Sequence, residues 1–326
     1  MNNRRKLLTV LGAGALIGSR LTFAQTAERN YRFGMLSAAN FNEPHYQAFF
    51  RRLNELGLVE GRNLSIERRH GDNRIDRLPA LAAELAKLKC QVFFGGGNEA
   101  TLTALTNASL DTPVVFIAVD FDPVASGHVA SLARPGGRVT GVTAIQSSMT
   151  AKRLELLKEL LPSAVRVAVF TNEQTSEQLA VAQSAARRLG LQLHIVELKR
   201  PPFNYEAGFS EVVHARGDAL FVLGSALWVS GRNKIVALSL KARVPSMFHH
   251  SGWAEAGGLM SYGFNFSGMW RRGGEMVASV LRGAKVSEIP MEQPTTYELA
   301  VNLRTAKALG IKIPNSILVR ADKVIE

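Results

Sequence analysis

The sequence predicts an α/β protein made of two Rossmann-like lobes, each a doubly wound parallel sheet, joined by a multi-strand hinge. Three observations carry this. Short apolar or β-branched runs alternate with stretches of helical periodicity along most of the chain. The alternation falls into two series of similar length, and strands joined through helices pair in parallel, with helices on both faces. After the second series the order becomes irregular, so the tail can cross between lobes more than once. A chain of 326 residues suits two such units.

The first series opens with an apolar strand over residues 31–38. Tyr46, Phe49, Phe50, Leu53 and Leu56 then recur at helical spacing until Gly57. Leu64, Ile66 and Arg68 alternate as a strand, and Leu78, Leu81, Ala82, Leu85 and Leu88 stripe the next helix. Gln91–Phe94 is a buried strand that runs into Gly95-Gly96-Gly97, and a helix starting near Asn98 carries Leu102 and Leu105. Pro113–Asp120 is the clearest strand, β-branched and apolar. A short helix over Val124–Leu132, a turn at Arg134-Pro-Gly-Gly137 and a strand over Val139–Ala144 complete the series.

The second series begins after Gln146. Leu154, Leu156, Leu157, Leu160 and Leu161 mark a helix closed by Pro162. Strands follow at 165–170, 191–198, 219–223 and 244–248, with helices at 177–189, 205–214 and 234–242 between them. The tail reads as a strand at 257–263, a helix at 270–281, an extended stretch at 290–302 and a last helix at 305–309. This order predicts lobe 1 over 28–145 plus about 265–292, and lobe 2 over 146–264 plus about 293–326.

The N-terminus predicts export. Arg4-Arg5-Lys6 precedes a charge-free, mostly apolar run over 7–19, and Thr22-Phe23-Ala24 places small residues where a signal peptidase reads. The expected leader is residues 1–24, cut after Ala24. The paired arginines suit the twin-arginine route, though a Sec leader can carry them too. The mature protein is then expected in the periplasm, without ATP or NAD pools.

Net charge is +12, and the 24 leader residues hold four basic side chains and no acid. The remaining arginine pairs, 51–52, 68–69, 187–188 and 271–272, lie on separate segments and read as solvated helix faces, not a nucleic-acid surface. A single cysteine, Cys90, excludes an internal disulfide or a multi-cysteine metal site, and reads as a buried inert thiol. His249 and His250 are adjacent, so on a strand they would face opposite ways and could not clamp one ion. Ser261-Tyr262-Gly263 lacks the leading glycine of a nucleophile elbow. No catalytic residue, metal or cofactor is predicted.

Ligands of open α/β sheets bind outside the carboxyl ends of the strands. The loops there supply Ser37 and Phe41, Gly96, Gly97 and Asn98, Asp120 and Asp122, Asn172, Ser225 and Trp228, and Tyr262. Gly95-Gly96-Gly97-Asn98-Glu99-Ala100, with Asp120 further on, fits a dinucleotide fingerprint on paper, but it follows the third strand of its unit, not the first. A ligand loop whose backbone N–H groups hold an anion, and a plain strand-to-helix turn, fit the same residues. For an amino-acid-like ligand, the helix start at Gly97-Asn98 would meet the carboxylate and Asp122 the ammonium, with Asp120 the less favoured choice. Asp122 equally suits a cap for a helix starting at Pro123.

Several stretches together resemble the exported solute-binding proteins of ABC transporters in the tryptophan/tyrosine-type family. They are Leu56-Gly-Leu-Val-Glu-Gly-Arg-Asn63, Asp76-Arg-Leu-Pro-Ala-Leu-Ala-Ala83, Pro113-Val-Val-Phe116 and Asp122-Pro-Val124. The series continues with Ser131-Leu-Ala-Arg-Pro-Gly-Gly-Arg-Val-Thr-Gly-Val142, Lys152-Arg-Leu-Glu-Leu-Leu157, Ala254-Glu-Ala-Gly-Gly-Leu-Met-Ser-Tyr-Gly263, Gln293-Pro-Thr and Asn302-Leu-Arg-Thr-Ala-Lys-Ala-Leu-Gly310. The resemblance spans essentially the whole chain. It implies the periplasmic-binding-protein type I fold, a small molecule (an amino acid or an aromatic or carboxylate compound) held between the lobes, delivery to a membrane permease, and a monomer that meets the membrane only through that permease. A sensor-linked binding module or an exported enzyme on the same fold is the alternative. Phe264-Asn-Phe266 stands where smaller polar residues are usual in the family, and the loop Gly224-Ser-Ala-Leu-Trp228 is individual to this chain. They favour an aromatic ligand, or else pack at the hinge.

Overall fold

Val114–Val119 is apolar throughout and all six of its residues are buried, as a strand inside a sheet covered on both faces must be. The computed structural model describes residues 30–199 and 202–326, so the leader expected over 1–24 lies outside the described residues. The first series forms β1 (Tyr31–Ser37), α1 (Pro44–Glu55), β2 (Leu64–His70), α2 (Leu78–Lys87), β3 (Val92–Gly97), α3 (Glu99–Ala108), β4 (Val114–Val119) and β5 (Val139–Ala144). These strands make one parallel sheet in the order β2-β1-β3-β4-β5.

The second series forms α4 (Ser147–Leu160), β6 (Arg166–Thr171), α5 (Ser176–Leu189), β7 (Gln192–Glu197), α6 (Tyr205–His214), β8 (Ala219–Val222), α7 (Arg232–Lys241) and β9 (Ser246–Phe248). The tail adds α8 (Ser251–Glu255), β10 (Met260–Phe264), α9 (Phe266–Leu281), β11 (Tyr297–Asn302), α10 (Leu303–Leu309), α11 (Asn315–Leu318) and β12 (Lys323–Ile325). The second sheet runs β12-β11-β10-β9-β8-β6-β7.

Strand alternation sends side chains to two cores per sheet. Phe33, Met35, Val115 and Ile117 join one cluster with α1 and α9, while Leu36, Phe93, Phe116 and Ala118 join another with α2 and α3. The second sheet is covered the same way, by α4 and α5 on one face and α6 to α8 on the other.

The chain passes between the sheets three times: between Ala144 and Ser147, at Asn265, and between Glu292 and Tyr297. The second and third passes touch, the Asn265 N–H donating to the Thr296 carbonyl at 3.3 Å. After the second pass α9 lies back on the first lobe, where Arg52 of α1 meets Glu275 at 2.8 Å. The return gives β11 the opposite sense, so it pairs antiparallel with β10. That is the exception to the all-parallel expectation, and its cause is entry from the hinge without an intervening crossover helix in the same lobe.

Two local expectations change. Residues 124–132 form no helix. Ser126 N–H bonds Asp122 O, His128 and Val129 N–H both reach Pro123 O, and Gly127 takes a φ of +73°, which winds the segment into turns. The helix expected to end the chain at 305–309 is followed by α11 and β12.

Candidate functional site

Each sheet reverses its strand order once, between β1 and β3 and between β6 and β8, which is where open α/β sheets hold ligands. The loops at these points face each other across one cleft. The first lobe contributes Ser37 ending β1 with Ala38 and Ala39 beyond it, Glu43, His45 and Tyr46 at the start of α1, Gly96 and Gly97 ending β3 with Asn98 beyond them, Val119 ending β4, and Phe266 and Trp270 from α9. The second lobe contributes Ser225, His249 and His250, and Gln146 lies on the first hinge pass.

The first-lobe wall is aromatic. Phe266 and Trp270 stack at 5.6 Å and 16°, His45 lies 4.3 Å from Trp270, and Tyr46 meets Trp270 edge-on at 6.0 Å. His250 reaches across from the second lobe to Phe266 at 4.6 Å. Gly96 makes room for the indole: a Cβ there would stand 2.9 Å from Trp270 Cζ2. The Tyr46 hydroxyl shares a 2.8 Å hydrogen bond with Ser37 Oγ. Burial pushes its pKa up to about 12, so it stays a neutral phenol.

Asn98 caps α3. Its Oδ1 accepts from the Thr101 N–H at 3.2 Å and from Thr101 Oγ1 at 3.0 Å. Capping commits the oxygen and leaves the Nδ2 amide donor buried without a protein partner. Trp270 Nε1 is likewise buried and unpartnered. Such donors cost about 1–3 kcal/mol each when left unmet.

The charges around the cleft are few. Glu43, which walls the cavity, accepts a hydrogen bond from Arg232 at the start of α7, an ion pair that ties the two lobes together. Burial, then the Arg232 charge, holds the His45 pKa down to about 3. Burial also holds His249 and His250 well below the ordinary value, aided by Arg153 and Arg232. The histidine wall is therefore neutral at pH 7. Arg153, fully buried, donates to Gln146 Oε1 and, at 2.7 Å, to the Tyr262 carbonyl. Among the described residues no cluster of three or more His, Cys, Asp or Glu side chains could hold a metal ion, and no helix is long and apolar enough to cross a membrane.

Of the residues expected at the site, Ser37, Gly96, Gly97, Asn98 and Ser225 wall the cavity. Asn172 stands one layer back, its Nδ2 donating to Ser225 Oγ at 3.0 Å. Phe41 is buried against Tyr46 and His70, off the wall. Trp228 lies in the core of the second lobe beside Phe203 and Tyr205, with its indole donating to the Leu223 carbonyl at 2.8 Å. Tyr262 stacks on Tyr297 at 6.2 Å. Of the two unusual phenylalanines, Phe264 packs on Tyr297 at the hinge and Phe266 walls the cavity.

Asp122 is exposed and accepts from Val124 N–H at 2.8 Å and Ala125 N–H at 3.3 Å, the capping reading, at the head of a turn and not of a helix. Asp120 takes a φ of +60° and faces the hinge, accepting from Gln146 N–H at 2.7 Å and Gln178 Nε2 at 2.9 Å. Burial raises its pKa to about 7. Neither carboxylate walls the cavity. Cys90 is buried and its thiol is pushed up to about 11 by burial.

Sequence reasoning passed over Glu43, His45, Tyr46, Gln146 and Trp270, left Phe266 open between ligand and hinge, and set the histidine pair aside. His249 and His250 both reach the wall because they lie beyond the end of β9, where the strand's alternation no longer applies. In the sequence Tyr46 belongs to a helical stripe and Trp270 stands at the start of a helix, and neither pattern points to a ligand. The signal that could have found the first group is Pro44 just after Glu43, which marks a helix start directly beyond a strand-end loop.

A family model described as ABC transporter substrate binding protein matches residues 42–325. A curated relative, the tyrosine-binding protein of Clostridioides difficile, is 26% identical over 269 residues, covering 82% of this chain and 76% of the relative. Among solved structures, the ABC domain in complex with L-Trp from Streptococcus pneumonia superposes with a TM-score of 0.77 at 24% identity, over 91% of this chain and 100% of the other. The ligand-free, open structure of a substrate binding protein with adhesive properties from Clostridium difficile gives 0.63 at 25% identity, over 90% and 99%. A conserved domain protein from Vibrio cholerae gives 0.80 at 22% identity, over 91% and 100%.

Proposed function

The chain belongs to the ABC transporter substrate binding protein family, and from that premise we propose that it is an exported solute-binding protein that closes two lobes on a small molecule and delivers it to an ABC importer permease. The observation that carries the reading is the convergence of both sheets' switch-point loops on one cavity with an aromatic wall. The family is one of solute-binding proteins, not enzymes, and the neutral histidines fit a site that holds a ligand without turning it over. We take the ligand to be an amino acid or an aromatic or carboxylate compound, in line with the names of the tyrosine-binding relative and the L-Trp complex. The site we assign comprises the cavity walls named above. Asn172 supports Ser225 from behind.

We place the lobes at 28–145 with about 265–292 and 146–264 with about 293–326, because the sheets and α9 divide there. Export to the periplasm, cleavage after Ala24, a monomeric state and contact with the membrane through the permease alone are part of the same proposal, supported by the leader pattern and the family. The Glu43–Arg232 pair supports closure as the ligand-holding state, since it can form only when the lobes meet.

A thermal-shift screen of the mature protein against amino acids and aromatic acids tests this. A ligand at 100 times its Kd stabilises by about 2.7 kcal/mol. Scattering at saturation should then show a smaller radius of gyration. A ligand that binds without any change in the profile would refute closure, and one that is chemically converted would refute a transport role.

A further inference from the structure

The unpartnered polar atoms at the cleft are mostly donors; the exception is His249 Nδ1 on the wall, which can donate or accept according to its tautomer. Asn98 Nδ2 and Trp270 Nε1, both on wall residues, are buried donors without protein acceptors. Arg232 Nε and Arg153 Nη1, on the cations flanking the cleft, are also buried and unpartnered. No buried carboxylate oxygen among the described residues lacks a partner. Glu43 is the one acidic residue of the wall, and it is bonded to Arg232. Asp120 is bonded to the hinge at both oxygens and stands off the wall.

Building on the proposed binding function, we infer that the cleft selects an aromatic carboxylate that lacks an α-ammonium group. A carboxylate brings acceptors to donors that have none, and each bond formed removes a desolvation penalty already present in the protein. An ammonium would meet the reverse case. It would lose water and find its only wall carboxylate engaged, with two arginines nearby. The ring packs beside Phe266 and Trp270, two of the aromatic residues that line the cavity.

The test uses calorimetric titration of the mature chain with matched pairs that differ only by the α-ammonium: L-phenylalanine and 3-phenylpropionate, L-tyrosine and 3-(4-hydroxyphenyl)propionate, L-tryptophan and indole-3-propionate. Tryptamine, which keeps the ammonium and drops the carboxylate, completes the set. In every pair that binds, the propionate should bind 10-fold or more tighter than its amino acid, and tryptamine should bind weaker than either indole acid. An amino acid that equals or exceeds its propionate, or tryptamine binding tightest, overturns the inference and leaves the transport reading standing. If no compound of the set binds, while the wider screen finds some other ligand, the inference fails and the transport reading survives. If the wider screen is blank too, both fail. Asn98→Asp provides a second arm, because aspartate keeps the cap on α3 but replaces the amide donor by an anion. With the circular dichroism unchanged, propionate affinity should fall at least 10-fold, and unchanged affinity would overturn the assignment of the carboxylate to this wall.

Discussion

Acidification should loosen this protein through His45, and the size of the effect can be worked out. Folded, the buried ring takes a proton only near pH 3, against an ordinary value of 6.5. Between those limits the unfolded chain binds more protons than the folded one, so stability falls as pH falls through 6.5. An unfolded histidine of pKa about 6.5 is roughly a quarter protonated at pH 7 and almost fully at pH 5. Integrating that difference gives a loss of about 2 kcal/mol between pH 7 and pH 5 for the one ring. His249 and His250 act in the same direction. Comparing His45→Gln with the parent isolates the term, because any fixed packing loss is the same at both pH values. Urea unfolding at pH 7 and pH 5 should show the variant losing about 2 kcal/mol less than the parent over that interval. An equal loss in both proteins would refute the claim that the fold holds His45 neutral.

Asp120 opposes this: its folded pKa of about 7 lies above the ordinary 3.8, so acidification from pH 7 to pH 5 protonates only the folded form and adds about 2 kcal/mol. Asp120→Asn should therefore lose about 2 kcal/mol more than the parent over the same interval, read by the same unfolding curves. Gly96→Ala places a methyl against the Trp270 indole; a stability loss of about 1–3 kcal/mol is expected, with weaker ligand binding by calorimetry. Asp122→Asn should change affinity by less than about 0.5 kcal/mol, since this exposed side chain only caps a turn; a larger loss would return Asp122 to the binding site.

The ends of the strands were legible in the sequence, and with them Ser37, Gly96, Gly97, Asn98 and Ser225. Strand and helix periods are local, and the rule that ligands meet the carboxyl ends of parallel strands turns those periods into positions. Asp122 and Trp228 were misplaced by the same rule, because lying on the right loop does not decide which way a side chain turns. Asp122 spends its oxygen on the turn beneath it, and Trp228 found more apolar contact inside its own lobe than at the cleft.

By itself the sequence determined the two α/β series, the recrossing tail and the loops that bear the site, all of which depend on short-range pattern. Only the tertiary structure decided the antiparallel sense of β11, the aromatic wall and the charge balance. Trp270 joins Tyr46 because α9 returns from the far end of the chain to pack on α1, and Glu43 is neutralised because closure brings Arg232 from the other lobe. No local period encodes either meeting. Both follow from the burial of apolar surface between segments that the chain order keeps far apart.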